Sequence, residues 1–252
     1  MCYNRKVFWK SEGLEVIYLE KIKLFCLPFA GGSAMNYMSW KKYLDDRIEL
    51  KPIELSGRGK RFNEPLYSGA EDAVNDIYNR ISGEFDGTPY AVFGHSMGTL
   101  LAYELISKII EQIGQEPVHV FFSGRFPPFL EENKRSVHTY PDKELIDEIN
   151  ELGGTNKEVL ENPELVNLFL PVIRSDYKLV ETYKHDRDIL KLNCDISVLN
   201  GKQDNYVKEQ DARRWQECTN KGFSFYEFDD GHFFINTYKE DVIDLINKTL
   251  LG

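Results

Sequence analysis

Ser96 stands between two glycines in Gly94-His95-Ser96-Met97-Gly98, where a β-prone stretch (Tyr90 to Phe93) runs straight into a helical one. Glycines at these two positions let a strand and a helix crowd together at a sharp bend and expose the serine hydroxyl above the sheet. By itself the pattern fits a tight strand-to-helix turn as well as a nucleophile elbow. A serine hydroxyl becomes a nucleophile only when a base takes its proton, and the base needs an acid to orient it.

The chain has five histidines. His95 belongs to the bend and His119 starts an apolar strand, so both read as packing residues. His138 and His185 fall in polar stretches and read as solvated. His232 lies in Asp229-Asp230-Gly231-His232-Phe233-Phe234, directly after the last β-prone run. A loop there carries an imidazole over the end of a sheet, which makes His232 the candidate base. Asp204, in Gly201-Lys202-Gln203-Asp204-Asn205, follows the preceding strand and is the candidate acid. Asp230 is too near His232 in sequence to reach the far side of its ring, and Ser123-Gly124-Arg125 offers no acid.

The negative charge that develops during acyl transfer needs backbone donors. Met97 N–H is one, at the start of the helix. The second is expected from Leu27-Pro28-Phe29-Ala30-Gly31-Gly32-Ser33, as the N–H of Ala30 or of Phe29. A phosphate-binding reading of this loop fails, because neither G-x-G-x-x-G nor G-x-x-x-x-G-K-[ST] is present.

These residues need a scaffold that brings strand ends to one edge. Residues 21–28, 48–55, 90–94, 118–123, 195–200 and 223–228 read as strands, and 34–44, 70–86, 97–113 and 240–250 as helices. In 97–113, Ala102, Leu105, Ile106, Ile109 and Ile113 recur with helical spacing. In the last helix Val242, Leu245, Ile246 and Leu250 do the same. Such alternation predicts one α/β domain over 1–252, with a mostly parallel central sheet flanked by helices and ligands at the carboxyl ends of its strands. Residues 127–192 break the alternation. They carry helical patterns at 142–152, 163–169 and 171–183, punctuated by Gly153-Gly154 and Pro171. That is far longer than a crossover needs, and it predicts a helical lid insertion hinged at those glycines and at the break before Pro171. The first twenty residues carry a weak hairpin signal around Lys10-Ser11-Glu12-Gly13.

Composition excludes several classes. A net charge of -10 argues against general nucleic-acid binding. No apolar run reaches the roughly 18 residues of a membrane span, and the N-terminus lacks a signal-peptide core. Cys2, Cys26, Cys194 and Cys218 lack the spacing of a zinc site or a disulfide framework, which suggests reduced thiols in the cytoplasm. No metal or cofactor is expected, and the chain is expected to work as a monomer.

Seven blocks in order resemble the type II thioesterases that accompany nonribosomal peptide and polyketide synthetases, members of the α/β-hydrolase superfamily. They are LPFAGGSAMNY (27–37), ELSGRGKRFNEPLY (54–67), GHSMG (94–98), SGRFPP (123–128), ELGGT (151–155), LPVIRSDYKLVETY (170–183) and DDGHFFI (229–235). The order Ser96, Asp204, His232 is the one that superfamily uses. The resemblance implies an α/β-hydrolase fold and a stand-alone hydrolase. Such an enzyme clears acyl groups from the phosphopantetheine arm of carrier domains, which become its partners. It makes Ser96, Asp204 and His232 the triad, and Ala30 with Met97 the oxyanion hole. Thioester specificity comes from the resemblance alone, since the same residues would serve a carboxylesterase or lipase, and a non-catalytic binding protein is a third reading.

Arg58, Lys60, Arg61 and Arg125, with Lys134, Arg135 and Lys202, are expected to form a basic rim facing the carrier, partly offset by Glu64, Glu131 and Glu132. Basic residues spread over any loop surface are the alternative, and Arg58 could instead support the active-site face. Asp176 falls on an apolar helical face and reads as a buried, paired carboxylate holding the lid. Tyr177 and Tyr183 read as lid packing.

Overall fold

The computed structural model describes residues 5–10, 13–18, 21–130, 135–154 and 162–252. Strands β1 (Arg5–Lys10) and β2 (Gly13–Tyr18) pair antiparallel as a separate hairpin. Strands β3 (Ile22–Leu27), β4 (Ile48–Pro52), β5 (Tyr90–His95), β6 (His119–Ser123), β7 (Asp195–Gly201) and β8 (Phe223–Phe228) form one sheet. Its order is β4-β3-β5-β6-β7-β8, and every neighbouring pair is parallel. β4 ends at Pro52, short of the expected 55, where the ring removes a ladder donor.

All residues of β5 and β6 are buried, as a parallel sheet covered on both faces requires. The two-residue period sends alternate side chains to opposite cores. Val92 joins Leu105, Ile106 and Ile109 of the helix that follows β5, while Ala91 and Phe93 join Tyr37, Trp40, Val242 and Ile246 on the other face.

Among the described residues the helices are α1 (Met35–Met38), α2 (Ala70–Ile81), α3 (Met97–Ile113), α4 (Asp142–Leu152), α5 (Pro163–Thr182), α6 (Glu209–Ala212), α7 (Phe234–Thr237) and α8 (Lys239–Leu251). The long helix expected over 34–44 is one turn of α1 followed by a 3-10 turn, Ser39–Lys42. Only Tyr37 and Trp40 of these two turns are buried, so little packing supports a longer helix. The apolar stripe of α3 is buried through Ile109, whereas Ile113 at its last turn is exposed.

Between β6 and β7 the described residues contain no strand. A 3-10 turn (Val137–Thr139), α4 and α5 fill this segment around a small core of Val137, Leu145, Ile149, Leu170 and Ile173. The expected break before Pro171 is absent, and α5 runs through the proline. A proline there forgoes one backbone hydrogen bond and strains the preceding turn. The loss is offset on both sides: Asn162 caps the helix by accepting the N–H of Glu164 and Leu165, and Leu170, Val172, Ile173, Asp176 and Leu179 are buried. Among the described residues no helix is long and apolar enough to cross a membrane.

Candidate active site

Ser96 is the only non-glycine among the described residues with positive φ, at 54°. Such a conformation costs free energy and persists only where the surroundings impose it. The close approach of β5 and α3 imposes it here. A side chain at Gly94 would place its Cβ 2.3 Å from Gly98 O, and one at Gly98 would place it 2.2 Å from Leu27 O. The Ser96 N–H donates to Ser123 O at 2.8 Å, which ties the bend to the end of β6. Thr99 Oγ1 lies 2.8 Å from both Gly94 O and Ser123 O.

Two loops at the carboxyl edge bring the other groups to the serine. His232 Nε2 lies 2.9 Å from Ser96 Oγ, and His232 Nδ1 lies 2.7 Å from Asp204 Oδ2. The Asp204 side chain is fully buried and that of His232 nearly so. Asp204 Oδ1 accepts the backbone N–H of Tyr206 at 2.8 Å and of Val207 at 3.2 Å, which fixes its other oxygen on the imidazole. Gly201 makes the arrangement possible, since a Cβ there would sit 2.2 Å from Gly231 O. Asp230 turns to the N–H of Gly231 instead.

His95 is buried beside His232, with ring centroids 5.2 Å apart, and its Nδ1 meets Ser123 Oγ at 2.9 Å. Burial pushes its pKa well below the usual histidine value, so it stays neutral. Of these two imidazoles, His232 is the one in contact with the Ser96 hydroxyl, while His95 Nδ1 is taken by Ser123.

The loop after β3 runs next to the bend, because Leu27 O and Pro28 O lie against Gly98. Its N–H groups from Gly31 onward are occupied: Gly31 by Asp176 Oδ2, Gly32 by Phe29 O, Ser33 by Asn36 and Ala34 by Glu54. Among the described residues no acceptor holds the N–H of Phe29, Ala30 or Met97. A hydroxyl with a base beside it, and spare donors nearby, can attack an acyl carbon and hold the resulting oxyanion.

The profile of the thioesterase domain family matches residues 22–250. Gramicidin S biosynthesis protein GrsT of Aneurinibacillus migulanus is 34% identical over 230 residues, covering 91% of this chain and 89% of its own. The crystal structure of ClbQ from the colibactin NRPS/PKS pathway matches with a TM-score of 0.88 at 37% identity, covering 91% of this chain and 97% of ClbQ. The type II thioesterase BorB from the borrelidin biosynthetic cluster matches with a TM-score of 0.83 at 33% identity, covering 90% of this chain and 92% of BorB. The chain belongs to the thioesterase family.

Several other residues of this thioesterase depart from the expected basic rim. Arg58 is buried, with a bidentate ion pair to Asp176 at 2.6 and 2.7 Å, so it supports the active-site loops and does not face solvent. Arg61 is buried against Glu64, Asp76 and Tyr67. Guanidinium groups this far from water persist because carboxylates satisfy them. Lys60 and Lys202 are exposed, Arg125 is half-buried with its guanidinium over Phe126, and Arg135 pairs with Glu148. Lys134, Glu131 and Glu132 lie outside the described residues.

His138 and His185 are not simply solvated. His138 Nδ1 meets Glu181 and so ties the start of the helical segment to the end of α5, whereas His185 Nδ1 meets Tyr183 Oη two residues away, a local contact. Thr99, Tyr206 and Glu148 escaped the sequence reading, since their roles come from pairings across distant segments. Tyr206 follows the acid loop and donates to Glu148 Oε1 of α4 at 2.8 Å. Among the described residues no group of three His, Cys, Asp or Glu side chains is poised to hold a metal.

Proposed function

We propose that this thioesterase is a type II enzyme that hydrolyses acyl groups from the phosphopantetheine arm of carrier domains. The single observation that carries the reading is the hydrogen-bonded chain Ser96–His232–Asp204 at the carboxyl edge of the sheet. Relatives named for gramicidin S, colibactin and borrelidin biosynthesis support the carrier-bound substrate.

In this reading Ser96 Oγ attacks the thioester carbonyl carbon as its proton passes to His232 Nε2. The carbonyl oxygen becomes an oxyanion held by the N–H of Met97 and of Ala30, with Phe29 the alternative donor. Collapse breaks the C–S bond, and His232 returns the proton to the departing sulfur. A thiol of pKa about 8.5 leaves more readily than an alcohol or an amine, so little protonation is needed. Water then enters, gives its proton to His232 and attacks the acyl-serine. A second collapse frees the carboxylic acid and restores Ser96. Asp204 holds the imidazole in the required tautomer and balances its charge throughout.

The helical segment between β6 and β7 acts as a lid over this edge. Support comes from Asp176 of α5 on Gly31 and from Glu148 of α4 on Tyr206, contacts with loops on two sides of the site. The enzyme works in the cytoplasm as a monomer beside its synthetase and needs no cofactor beyond the arm its substrate brings. The test compares discharge of an acyl-carrier protein with hydrolysis of a simple ester of the same acyl group. Preference for the carrier thioester in kcat/KM supports the assignment. Preference for the free ester would make the enzyme a carboxylesterase, and no turnover of either would leave a binding protein.

A further inference from the structure

The oxyanion loop is held by a charge pair that the acyl-transfer chemistry does not itself use. Arg58 and Asp176 are 4% and 1% exposed, and their side chains meet through two hydrogen bonds. Apolar side chains of similar volume commonly stabilise a protein as well as a buried ion pair does, so stability alone is a poor reason for this one. Apart from Arg58 Nε, which donates to Ser56 O at 3.3 Å, its remaining hydrogen bonds go to the backbone of a single turn. Asp176 Oδ2 accepts the Gly31 N–H at 2.8 Å, and Arg58 Nη1 donates to Gly32 O at 3.0 Å. Gly31 has φ +75, and a side chain there would run into Ile173, one turn before Asp176 on α5.

The Gly31 N–H belongs to the peptide plane that follows Ala30. With that plane fixed by Asp176, the Gly32 carbonyl held by Arg58, and the Phe29–Ala30 peptide held by the Gly32 N–H on Phe29 O at 2.8 Å, Ala30 keeps little freedom to redirect its own N–H. Asp176 sits on α5, whereas Arg58 and Gly31 sit on loops of the sheet edge. Withdrawal of α5 therefore removes the acceptor from Gly31 and the counter-charge from Arg58 together.

We propose that Arg58 and Asp176 are positioning residues that aim the Ala30 N–H at the reacting carbonyl, so that the oxyanion hole is complete only while α5 is seated. This rests on the oxyanion-hole reading given under Proposed function. The pair couples lid position to turnover: an enzyme with α5 displaced still binds an acyl chain but hydrolyses it slowly.

The test replaces the pair by apolar groups, Arg58→Met with Asp176→Leu, and compares it with Arg58→Met with Asp176→Asn. In the second variant the amide oxygen still accepts the Gly31 N–H. The first variant should lose about 10- to 100-fold in kcat, the range for a donor misplaced by about 1 Å, with KM within about threefold and Tm within a few degrees. The second should recover most of that loss. Wild-type kcat in the first variant, a loss confined to KM, or equal losses in both variants would overturn the proposal. If the first variant does not fold, hydrogen exchange of the wild-type enzyme decides. A trifluoromethyl ketone that adds to Ser96 should slow exchange in residues 28–35 and in residues 170–180 together, and slowing of the loop alone would overturn the coupling. Ser96→Ala run alongside separates the two claims. Turnover by that variant would sink the site assignment itself, while its loss beside a fully active Arg58→Met, Asp176→Leu enzyme would sink only the positioning role.

Discussion

Replacing Asp204 by Asn changes one atom, and the structure dictates which way the amide must face. Oδ1 accepts two backbone N–H groups, from Tyr206 and Val207, while Oδ2 meets His232 Nδ1. An amide with its NH2 toward those two N–H groups would forfeit two hydrogen bonds at about 1 kcal/mol each and leave buried donors facing one another. The amide oxygen therefore stays on the backbone and the NH2 faces His232. Nδ1 must then accept, which forces the ring proton onto Nε2, pointing at Ser96 Oγ. In that tautomer the base is already protonated on the side where it should receive. The imidazolium that forms in the transition state has also lost its counter-charge. We expect kcat to fall roughly 10³- to 10⁴-fold, equivalent to about 4–5 kcal/mol of barrier. KM should stay within about threefold and Tm nearly constant, because the shape and backbone contacts are kept. Single-turnover release of thiol from an acyl-pantetheine thioester, followed with a thiol reagent, measures the loss directly. Activity within tenfold of wild type would refute the role of Asp204, and Asp230 would be substituted next.

Gly98→Ala should push α3 off the loop after β3, since its Cβ would sit 2.2 Å from Leu27 O and 2.9 Å from Pro28 O, backbone atoms that cannot swing aside. Overpacking of about 1–3 kcal/mol should lower Tm by roughly 2–10 °C, with kcat down about 100-fold, and a wild-type melt and rate would contradict the clearance argument. His119 is buried against Ser197, and burial lowers its pKa to about 4, whereas the unfolded chain binds that proton near pH 6.5. Its stabilising contribution is therefore complete above about pH 6.5 and lost as pH falls toward 4, so His119→Gln should narrow the difference in urea midpoint between pH 7 and pH 5. Lys60→Glu with Lys202→Glu reverses two exposed charges. It should raise KM for an acyl-carrier protein roughly fivefold per reversed contact while sparing a small uncharged thioester, and equal effects on both would remove these lysines from the carrier face.

The strands and the three candidate site residues were legible because their signals are local. β5 and β6 are buried on both faces and carry continuous apolar stretches, 90–93 and 120–122. Ser96, Asp204 and His232 each occupy the loop after a strand, where a parallel sheet presents side chains at one edge. Arg58 and Arg61 show the opposite case. A Gly-Arg-Gly-Lys-Arg stretch looks like an exposed basic loop. The burial of its two arginines depends on carboxylates 118 and 15 residues away, which no local pattern reveals. Pro171 reads as a break for the same reason: the burial of Leu170, Ile173 and Asp176 that carries α5 through it is a tertiary fact. His138 also finds its partner, Glu181, at the far end of α5.

The central claim, acyl transfer through Ser96, is tested most directly by trapping the intermediate. An acyl-carrier thioester is mixed with excess enzyme, quenched in acid within the first turnover, and digested for peptide mass analysis. The account predicts that the acyl mass is found on the peptide bearing Ser96, that it accumulates and decays at rates consistent with kcat, and that it is absent from Ser96→Ala. Hydrolysis proceeding at the wild-type rate in Ser96→Ala, or an acyl group found on any other residue of the wild-type enzyme, would contradict it.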